Sequence, residues 1–365
     1  MKKENNMNES RINVKLIGTG ILIGLVAVVL AVTGNPKNMA FCIACFIRDI
    51  AGGLKLQTAA PVQYIRPEII GIILGAFMIS VLTREYKSTA GSSPLIRFFL
   101  GFAMMTGALI FLGCPLRMVI RMAAGDLNAY IALIGFAAGV VTGTFALKRG
   151  FTLGRSYETQ RADGIILPVL MAVLFVLAVT TTLFAVSTAG PGSQHAPVLL
   201  SLCGGLIVGA VSQKARTCFA GAIRDIFLVG SFDLLSIIGA LFVTLLVYNL
   251  VSGNAHFSFS GQPIAHSHHL WNILGMYAVG LAAVLAGGCP FRQLVLAGQG
   301  SGDSAITFLG MLIGAAVAHN FGIAAAGASA TSSGGPALHG KIVLLVCIAV
   351  LLILAFTQKR GEKQA

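Results

Sequence analysis

Long apolar runs, separated by short polar connections, fill most of the chain. No charged residue occurs from Leu16 to Val32 or from Gly164 to Val211. Because a bilayer core takes about 20 apolar residues per helix, the second run is long enough for two helices. The pattern predicts ten membrane-spanning helices in an all-α protein, with expected ranges of 15–33, 67–83, 95–112, 129–147, 164–187, 196–213, 231–251, 270–286, 304–326 and 340–357.

Four shorter segments, rich in glycine, cysteine and arginine, lie between these runs at 37–54, 114–125, 217–230 and 289–300. They are too short and too polar to cross a bilayer. Non-spanning backbone is tolerated at membrane depth only where protein or a water-filled cavity surrounds it. The four segments therefore predict short re-entrant half-helices inside a polytopic membrane protein.

The composition excludes an ordinary soluble protein. Of the 365 residues, 56% are hydrophobic and only 10% are charged, whereas a soluble domain carries about 25% charged residues. A net charge of +13 would suggest nucleic acid as the partner of a soluble protein. In a membrane protein the same charge indicates basic cytoplasmic loops, so we expect a lipid bilayer and no nucleic acid around this chain.

The basic residues fall in alternate connections. Lys and Arg occur in both termini and in two connections, at 1–14, 84–97, 148–161 and 358–365. The 188–197 and 252–269 connections contain neither residue type. Ten spans put every basic segment on one side, and the positive-inside rule makes that side the cytoplasm. Both termini are therefore expected to be cytoplasmic, and the first apolar run is expected to be a retained span.

Two motifs recur in the same order. Gly113 to Arg117 (Gly-Cys-Pro-Leu-Arg) returns as Gly288 to Arg292, 175 residues later, and the segment from Cys42 to Ile50 returns from Cys218, 176 residues later. This indicates duplication. We expect a first membrane repeat at 15–147, a basic linker at 148–163 and a second repeat at 164–357, between cytoplasmic segments 1–14 and 358–365. Five spans in each half would insert the second copy upside down, as in many transporters.

The Gly-Cys-Pro-x-Arg motif is typical of a helix start. Proline suits the first helical position, glycine permits the turn before it, and the thiols of Cys114 and Cys289 would project from the positive end of a helix. Arg117 and Arg292 follow in the first turn, and an arginine at membrane depth needs a partner or a role. We interpret the repeated motif as part of a substrate path. The alternative is a tight corner with a small buried cysteine and an arginine that reaches outward.

The second motif places a cysteine six residues before an Arg-Asp pair. Its members are Cys42, Arg48 and Asp49 in the first copy and Cys218, Arg224 and Asp225 in the second. Cys218 is interpreted as lining the path, with Cys42 as its repeat partner. The Arg-Asp pairs suit either the path or a structural ion pair. Cys45 has no counterpart, because Gly221 takes its place.

Other candidate chemistry is weak. Seven scattered cysteines do not make a disulfide framework or a structural zinc site, and no nucleotide-binding loop occurs. Cys203 and Cys347 are expected to serve packing. His266, His268 and His269 favour a solvated polar loop over a metal site. We therefore predict no metal and no cofactor.

The two Gly-Cys-Pro-x-Arg segments and the run from Ser212 to Asp225 resemble those of the YeeE/YedE family of bacterial membrane proteins. The resemblance implies an hourglass-like path between inverted repeats, with cysteines at its constrictions that correspond to Cys114, Cys218 and Cys289. Members of the family include thiosulfate transporters, and the branch most similar to this chain is linked to selenium metabolism. The first copy departs from the family pattern, because the segment from Asn38 to Cys42 lacks the basic residues that precede Cys218.

The function predicted is import of a small sulfur- or selenium-containing anion across the bacterial cytoplasmic (inner) membrane, without enzymatic activity. The path is predicted to be lined by Cys114, Cys218, Cys289, Cys42, Arg117, Arg292, Arg224 and Arg48. A cytoplasmic protein that accepts sulfur or selenium is a further expected partner. Two alternatives stay open: a membrane sulfurtransferase that forms a cysteine persulfide, and a membrane partner protein that transports nothing.

Overall fold

The computed structural model describes residues 2–358, with side chains from residue 14 onward. The basic residues of the predicted cytoplasmic tail and those of segment 1–14 lie outside the described side chains. The helices, in chain order, are α1 (Lys2–Val32), α2 (Ile43–Gly53), α3 (Pro67–Leu82), α4 (Pro94–Phe111), α5 (Pro115–Ala123), α6 (Leu127–Lys148), α7 (Arg161–Thr180), α8 (Val198–Ala215), α9 (Phe219–Val229), α10 (Asp233–Val251), α11 (His269–Leu285), α12 (Pro290–Gln299), α13 (Gly302–Asn320) and α14 (Leu338–Thr357). Two short strands, β1 (Thr89–Ala90) and β2 (Tyr157–Glu158), pair antiparallel.

The prediction of an all-α polytopic membrane protein is confirmed, because ten helical segments within residues 2–358 are long and apolar enough to cross a membrane. Two predicted spans are too long at their ends. α7 stops at Thr180 rather than 187, since the backbone beyond it donates from Ala185 and Ser187 to the carbonyls of Gly53 and Gln63. α13 stops at Asn320 rather than 326, just before a glycine with positive φ.

The four predicted half-length segments contain the four short helices α2, α5, α9 and α12. Each begins directly after a motif cysteine, at Cys42, Cys114, Cys218 or Cys289. Proline occupies the first position of α5 and α12, where its missing N–H costs nothing. α9 and α12 end at glycines in the left-handed conformation, which stops a helix without steric strain.

The connections define two ends of the molecule. We call the end with connections 83–93 and 149–160 the basic face, and the end with connections 181–197 and 252–268 the neutral face. β1 and β2 join the two basic-face connections. α6 starts beside the neutral face, where Asp126 bridges to Ser258, and ends at the basic face. Its 22 residues span about 33 Å, so the two faces lie about one membrane thickness apart.

The short helices attach to opposite faces. The carbonyls of Gly53 and Ala124, at the ends of α2 and α5, accept from backbone N–H groups of the neutral-face connections, both at 2.9 Å. At the ends of α9 and α12, the carbonyl of Phe227 accepts from Lys148 at 2.9 Å and that of Gln299 accepts from the Lys87 backbone at 3.2 Å. The N-terminal ends of α2 and α5, which carry cysteines, therefore point inward from the neutral face, and those of α9 and α12 point inward from the basic face. This is the inverted arrangement that the motifs predict.

The long helices pack in matching pairs. α3 packs on α8 as α10 packs on α1, and α4 packs on α13 as α11 packs on α6. The pairs are equivalent because each helix from α1 to α7 corresponds to the helix seven positions later in chain order. Thus α3 corresponds to α10 and α1 to α8, just as α4 corresponds to α11 and α6 to α13. Glycines permit the close approach: a Cβ on Gly75 would overlap the Leu206 carbonyl, and one on Gly135 would overlap that of Ile273.

The helix order bears on where the repeats divide. α4 begins at residue 94 and α11 at residue 269, an offset of 175, and α7 begins at 161 and α14 at 338, an offset of 177. Because α7 thus has its counterpart in α14, we propose a division within 181–197, rather than at the basic linker 148–163. Each copy would then hold five long and two short helices, which is the odd number that inversion needs.

Candidate functional site

The four motif thiols meet as two pairs inside the bundle. The first thiol pair, Cys42 and Cys114, lies where the half-helices of the neutral face meet, with the two sulfurs 3.8 Å apart. The second thiol pair, Cys218 and Cys289, lies where the half-helices of the basic face meet, and the two thiols are close enough to influence each other electrostatically. All four side chains are buried, and Cys218, at 5% exposed, is the most accessible of them.

Each sulfur lies in the positive field of helix N-termini. Cys42 Sγ accepts from the Cys45 N–H at 3.4 Å, and Cys218 Sγ accepts from the Gly221 N–H at 3.2 Å. The Cys114 sulfur faces the N–H groups of Arg117 and Ala44, and the Cys289 sulfur faces those of Arg292 and Phe219. Unpaired N–H groups and the helix dipole favour negative charge at such a point. The two pairs thus form consecutive positions at which an anion would be attracted.

Arg117 is held firmly beside the first thiol pair. Its side chain is fully buried, and its guanidinium donates to the carbonyls of Asn38, Leu112, Pro263 and Ile264. One nitrogen also lies 3.6 Å from the Cys45 sulfur. Within residues 14–358 it pairs with no carboxylate. The charge is therefore distributed over backbone carbonyls, and few of its donors are free.

Arg292 occupies the equivalent position beside the second thiol pair, and its surroundings differ. Among the described residues it makes a single hydrogen bond, to Gln213 Oε1 at 3.5 Å, and no ion pair. Its side chain is only partly buried. Most of its guanidinium donors are therefore available to a ligand, which distinguishes it from Arg117.

Both Arg-Asp pairs form the ion pairs that the sequence allowed. Arg48 contacts Asp49 at 2.8 Å, and Arg224 contacts Asp225 at 2.7 Å. Asp49 is shared with Arg66, also at 2.8 Å. Arg48 is buried and Arg224 is about a quarter exposed. The guanidinium of each arginine is thus neutralised beside the thiols rather than open to them.

The amino-acid sequence that forms this arrangement matches a family of known proteins. The family model for sulphur transport matches residues 3–142 and 214–364. This chain belongs to the sulphur transport family. Both regions include the motif cysteines, which confirms the family that the sequence motifs resemble. A comparison with curated proteins found no match.

Several polar groups of this sulphur transport protein were not predicted. Arg66 bonds to Asp49 and to the carbonyls of Gln194 and Pro191, and Arg121 pairs with Asp126 at 2.6 Å. These partners lie in other connections or beyond a helix end, so sequence spacing alone did not relate them. A search for every charged residue inside an apolar segment would have found both arginines.

Three unpaired polar atoms belong to residues next in sequence to Gln213, Cys218 and Arg292. They are Ser212 Oγ, Thr217 Oγ1 and Gln293 Oε1, each buried and without a hydrogen-bond partner in the described part of the chain. Buried polar groups normally have partners. The cluster therefore offers acceptors and donors for water or a ligand beside Cys218 and Arg292.

The remaining cysteines and histidines agree with the prediction only in part. Cys347 is buried in α14 as expected, but Cys203 is exposed on α8, so its packing role is not confirmed. His266 is 1% exposed and bonds to the Ile110 carbonyl at 2.8 Å, and burial lowers its pKa to about 4. The expected solvated loop is therefore wrong at His266. Within the described residues no group of His, Cys, Asp and Glu side chains could hold a metal ion.

Proposed function

We propose that the protein imports a small sulfur-containing anion, of the thiosulfate type, through the two thiol pairs. One observation carries the proposal. Two pairs of half-helices enter from opposite faces, and each presents two thiols at its N-terminal ends, with a largely unengaged Arg292 beside the second pair. Helix N-termini attract anions, and an ordinary packing role gives no reason to repeat this arrangement.

The thiols suit passage rather than tight binding. A neutral S–H is a weak and polarisable donor, so it can meet the outer sulfur of a thiosulfate-like anion without holding it strongly. Conduction needs sites that are favourable enough to enter and weak enough to leave. Cys42 and Cys114 would form the first position from the neutral face, and Cys218 and Cys289 the second.

Arg292 supplies the charge attraction on this path. Its free guanidinium donors match the oxygens of a sulfur oxyanion, and charge-assisted hydrogen bonds of this kind are strong. Arg117 has a different role. Its guanidinium donates to backbone carbonyls and so holds the neutral-face connection against α5. Arg48 and Arg224, which are ion-paired, contribute to the local field and to helix packing.

The orientation of the protein follows from the positive-inside rule, which makes the basic face cytoplasmic. An imported anion then moves from the neutral face to the basic face of a bacterial inner membrane, against an inside-negative potential. That potential opposes each negative charge by about 2.3 kcal/mol per 100 mV. A dianion therefore needs a coupled driving force or rapid consumption inside the cell, for example by a cytoplasmic protein that accepts the sulfur.

Selenium anions present the same chemistry to thiols and guanidinium groups. Selenium species are accordingly included in the proposal as competing substrates. Competition between labelled thiosulfate and unlabelled selenium oxyanions in reconstituted liposomes measures the preference directly.

The test is uptake of labelled thiosulfate by cells that produce Cys114→Ala, Cys218→Ala or Cys289→Ala. Each substitution is expected to reduce uptake strongly, because it removes a donor from the path. Cys347→Ala is the matched control, since it removes a buried thiol from α14, away from both pairs. Wild-type uptake by all three path variants would contradict the proposal. A stable persulfide on Cys289 after exposure to substrate would favour the sulfurtransferase alternative.

A further inference from the structure

Glu68 stands apart among the buried acidic residues. In the described part of the chain, the buried carboxyl groups are those of Asp49, Glu68, Asp126 and Asp303. Three of them pair with arginines, whereas Glu68 contacts no Lys, Arg or His there. A bare buried carboxylate is costly unless a cation or a proton accompanies it. The fold thus keeps an acidic group at a place where it has no resident counter-charge.

The hydrogen bonds of Glu68 leave one oxygen open. Oε1 accepts from Asn35 Nδ2 at 2.8 Å and from Ser201 Oγ at 3.0 Å, and Oε2 has no partner in the described residues. A metal cation would need several oxygen ligands. The nearby Asn35 Oδ1 already accepts from the Ala196 N–H at 2.8 Å. One free oxygen is enough for a proton and too few for a metal cation.

The surrounding charges do not neutralise Glu68. On its own segment, Tyr64 stacks on His195 and Arg66 is engaged by Asp49 and two carbonyls of the 181–197 connection. On α2, Arg48 is paired with the same aspartate. α8 contributes the neutral hydroxyl of Ser201. Glu68 also lies in the first turn of α3, where the helix dipole favours negative charge, while burial disfavours it.

Glu68 is also linked to the first thiol pair. Asn35 Nδ2 donates both to Glu68 and to the Ala40 carbonyl, at 2.7 Å, and Ala40 lies two residues before Cys42. Asn38 and Ala40 have φ angles of 54° and 44°, in the left-handed region that such residues rarely adopt. Their contacts therefore hold this segment in a strained form. A carboxylate holds the Asn35 amide more strongly than a neutral carboxyl group does, so protonation loosens the segment that carries Cys42.

We propose that Glu68 is the coupling site, which binds one proton from the neutral face in each transport cycle. The proposal rests on the proposed function. The proton attaches to Oε2 as the anion enters, and it leaves toward the basic face when the carboxylate recovers its hold on Asn35. No other reactant takes part. Each proton that moves inward offsets one of the negative charges that the membrane potential opposes.

The experiment uses purified full-length protein in liposomes with labelled thiosulfate. Two modes are compared: exchange without any gradient, and accumulation driven by an acidic exterior. For each proton carried, a one-unit pH gradient supports about a tenfold accumulation. We expect Glu68→Gln to exchange thiosulfate yet lose the pH-driven accumulation. Ser201→Ala, which removes a hydrogen bond but keeps the carboxyl group, is expected to retain it.

Three results would overturn the proposal. The first is undiminished pH-driven accumulation by Glu68→Gln. The second is accumulation driven by a sodium gradient and not by a pH gradient. The third is thiosulfate uptake by the wild type without proton uptake, as followed by a pH dye in the lumen. The last measurement does not depend on the folding of any variant. A wild type that moves no anion in either mode contradicts the proposed function itself, so the two failures are distinct.

Discussion

The two thiol pairs share a backbone plan and differ in what surrounds them. Cys42 and Cys114 are fully buried, and the adjacent Arg117 donates to four backbone carbonyls. Around Cys218 and Cys289 the equivalent Arg292 has one long hydrogen bond, and buried polar atoms lack partners. Under the proposed function, the two copies supply equivalent backbone frames, of which the first is the more tightly bonded position and the second the more open one.

Particular positions show how the copies diverged. Ala40 and Arg216, 176 residues apart, both have left-handed φ angles, of 44° and 53°, so the turn before the half-helix is the same. Cys45 in the first copy corresponds to Gly221 in the second, and Met118 corresponds to Gln293. The backbone has therefore been kept while the side chains nearest the thiols have changed in size and polarity.

The largest expected effect on flux and stability comes from substitution of the two motif arginines, Arg117 and Arg292. Arg292→Gln removes the free charge, and we expect thiosulfate flux to fall about 10- to 100-fold, the equivalent of one charged hydrogen bond or more. Its melting temperature in detergent should change little, since the guanidinium makes a single hydrogen bond within the described residues. Arg117→Gln should lower the melting temperature clearly, because several buried carbonyls lose a charged donor. Equal flux and equal melting temperatures for the two variants would erase the proposed difference between the copies.

A second large effect concerns the first thiol pair. Its sulfurs are 3.8 Å apart, so a thiol oxidant such as diamide should link Cys42 to Cys114, with loss of both thiol protons and reduction of the diamide. We expect this disulfide to stop flux and a reducing agent to restore it. Peptide mapping by mass spectrometry identifies the bond, and Cys42→Ser serves as the control without it. Full flux through protein that is completely cross-linked would show that the path lies elsewhere.

A smaller effect is expected where the copies differ at one position of the half-helix. A Cβ at Gly221 would lie 2.8 Å from Leu234 Cδ1 and 3.1 Å from Cys218 Cβ, so Gly221→Ala crowds the second pair. Overpacking of this kind costs about 1–3 kcal/mol, and flux should fall several-fold. Cys45→Ala is the matched change in the first copy and should have little effect on flux, because Arg117 keeps its carbonyl partners. A greater loss in Cys45→Ala than in Gly221→Ala would reverse this assignment.

The smallest effect concerns pH and the neutral-face connection that holds Arg117. Burial lowers the pKa of His266 to about 4, whereas a free histidine has a pKa of about 6.5. Buried, neutral His266 therefore contributes fully to the free energy of unfolding above about pH 6.5. As the pH falls toward 4, the histidine of the unfolded chain binds a proton before that of the folded protein does, so this contribution is lost. Between pH 7 and pH 5 the loss is about 2 kcal/mol. Melting temperatures of the wild type should fall over this range, and those of His266→Gln should fall less.

The sequence predicted the parts of the molecule that rest on local chemistry. Apolar runs predicted the spans, and Gly-Cys-Pro predicted the starts of α5 and α12 at Pro115 and Pro290. The repeated motifs also predicted that the half-helices of the second copy would be inverted relative to those of the first. These features follow from residue type and spacing, which a sequence displays directly.

Other features depend on contacts between distant segments. Arg117 and Arg292 look equivalent in the sequence, and they differ because the carbonyls of Pro263 and Ile264 reach only the first. Glu68 stands out only because no cationic side chain of residues 14–358 pairs with it, a fact of packing that spacing does not contain. Cys203 lies in an apolar helix like Cys347, yet it faces outward, since the helical period alone does not say which side has a neighbour.

The most direct test of the central claim is the protection of Cys218 by substrate. Cys218 is the most accessible motif thiol, so its alkylation by a small maleimide can be followed by mass spectrometry with and without thiosulfate. If the anion is held at the second thiol pair, thiosulfate slows this alkylation in the wild type and has no effect in Arg292→Gln. An unchanged rate in the wild type, at thiosulfate concentrations that saturate transport, would contradict the account.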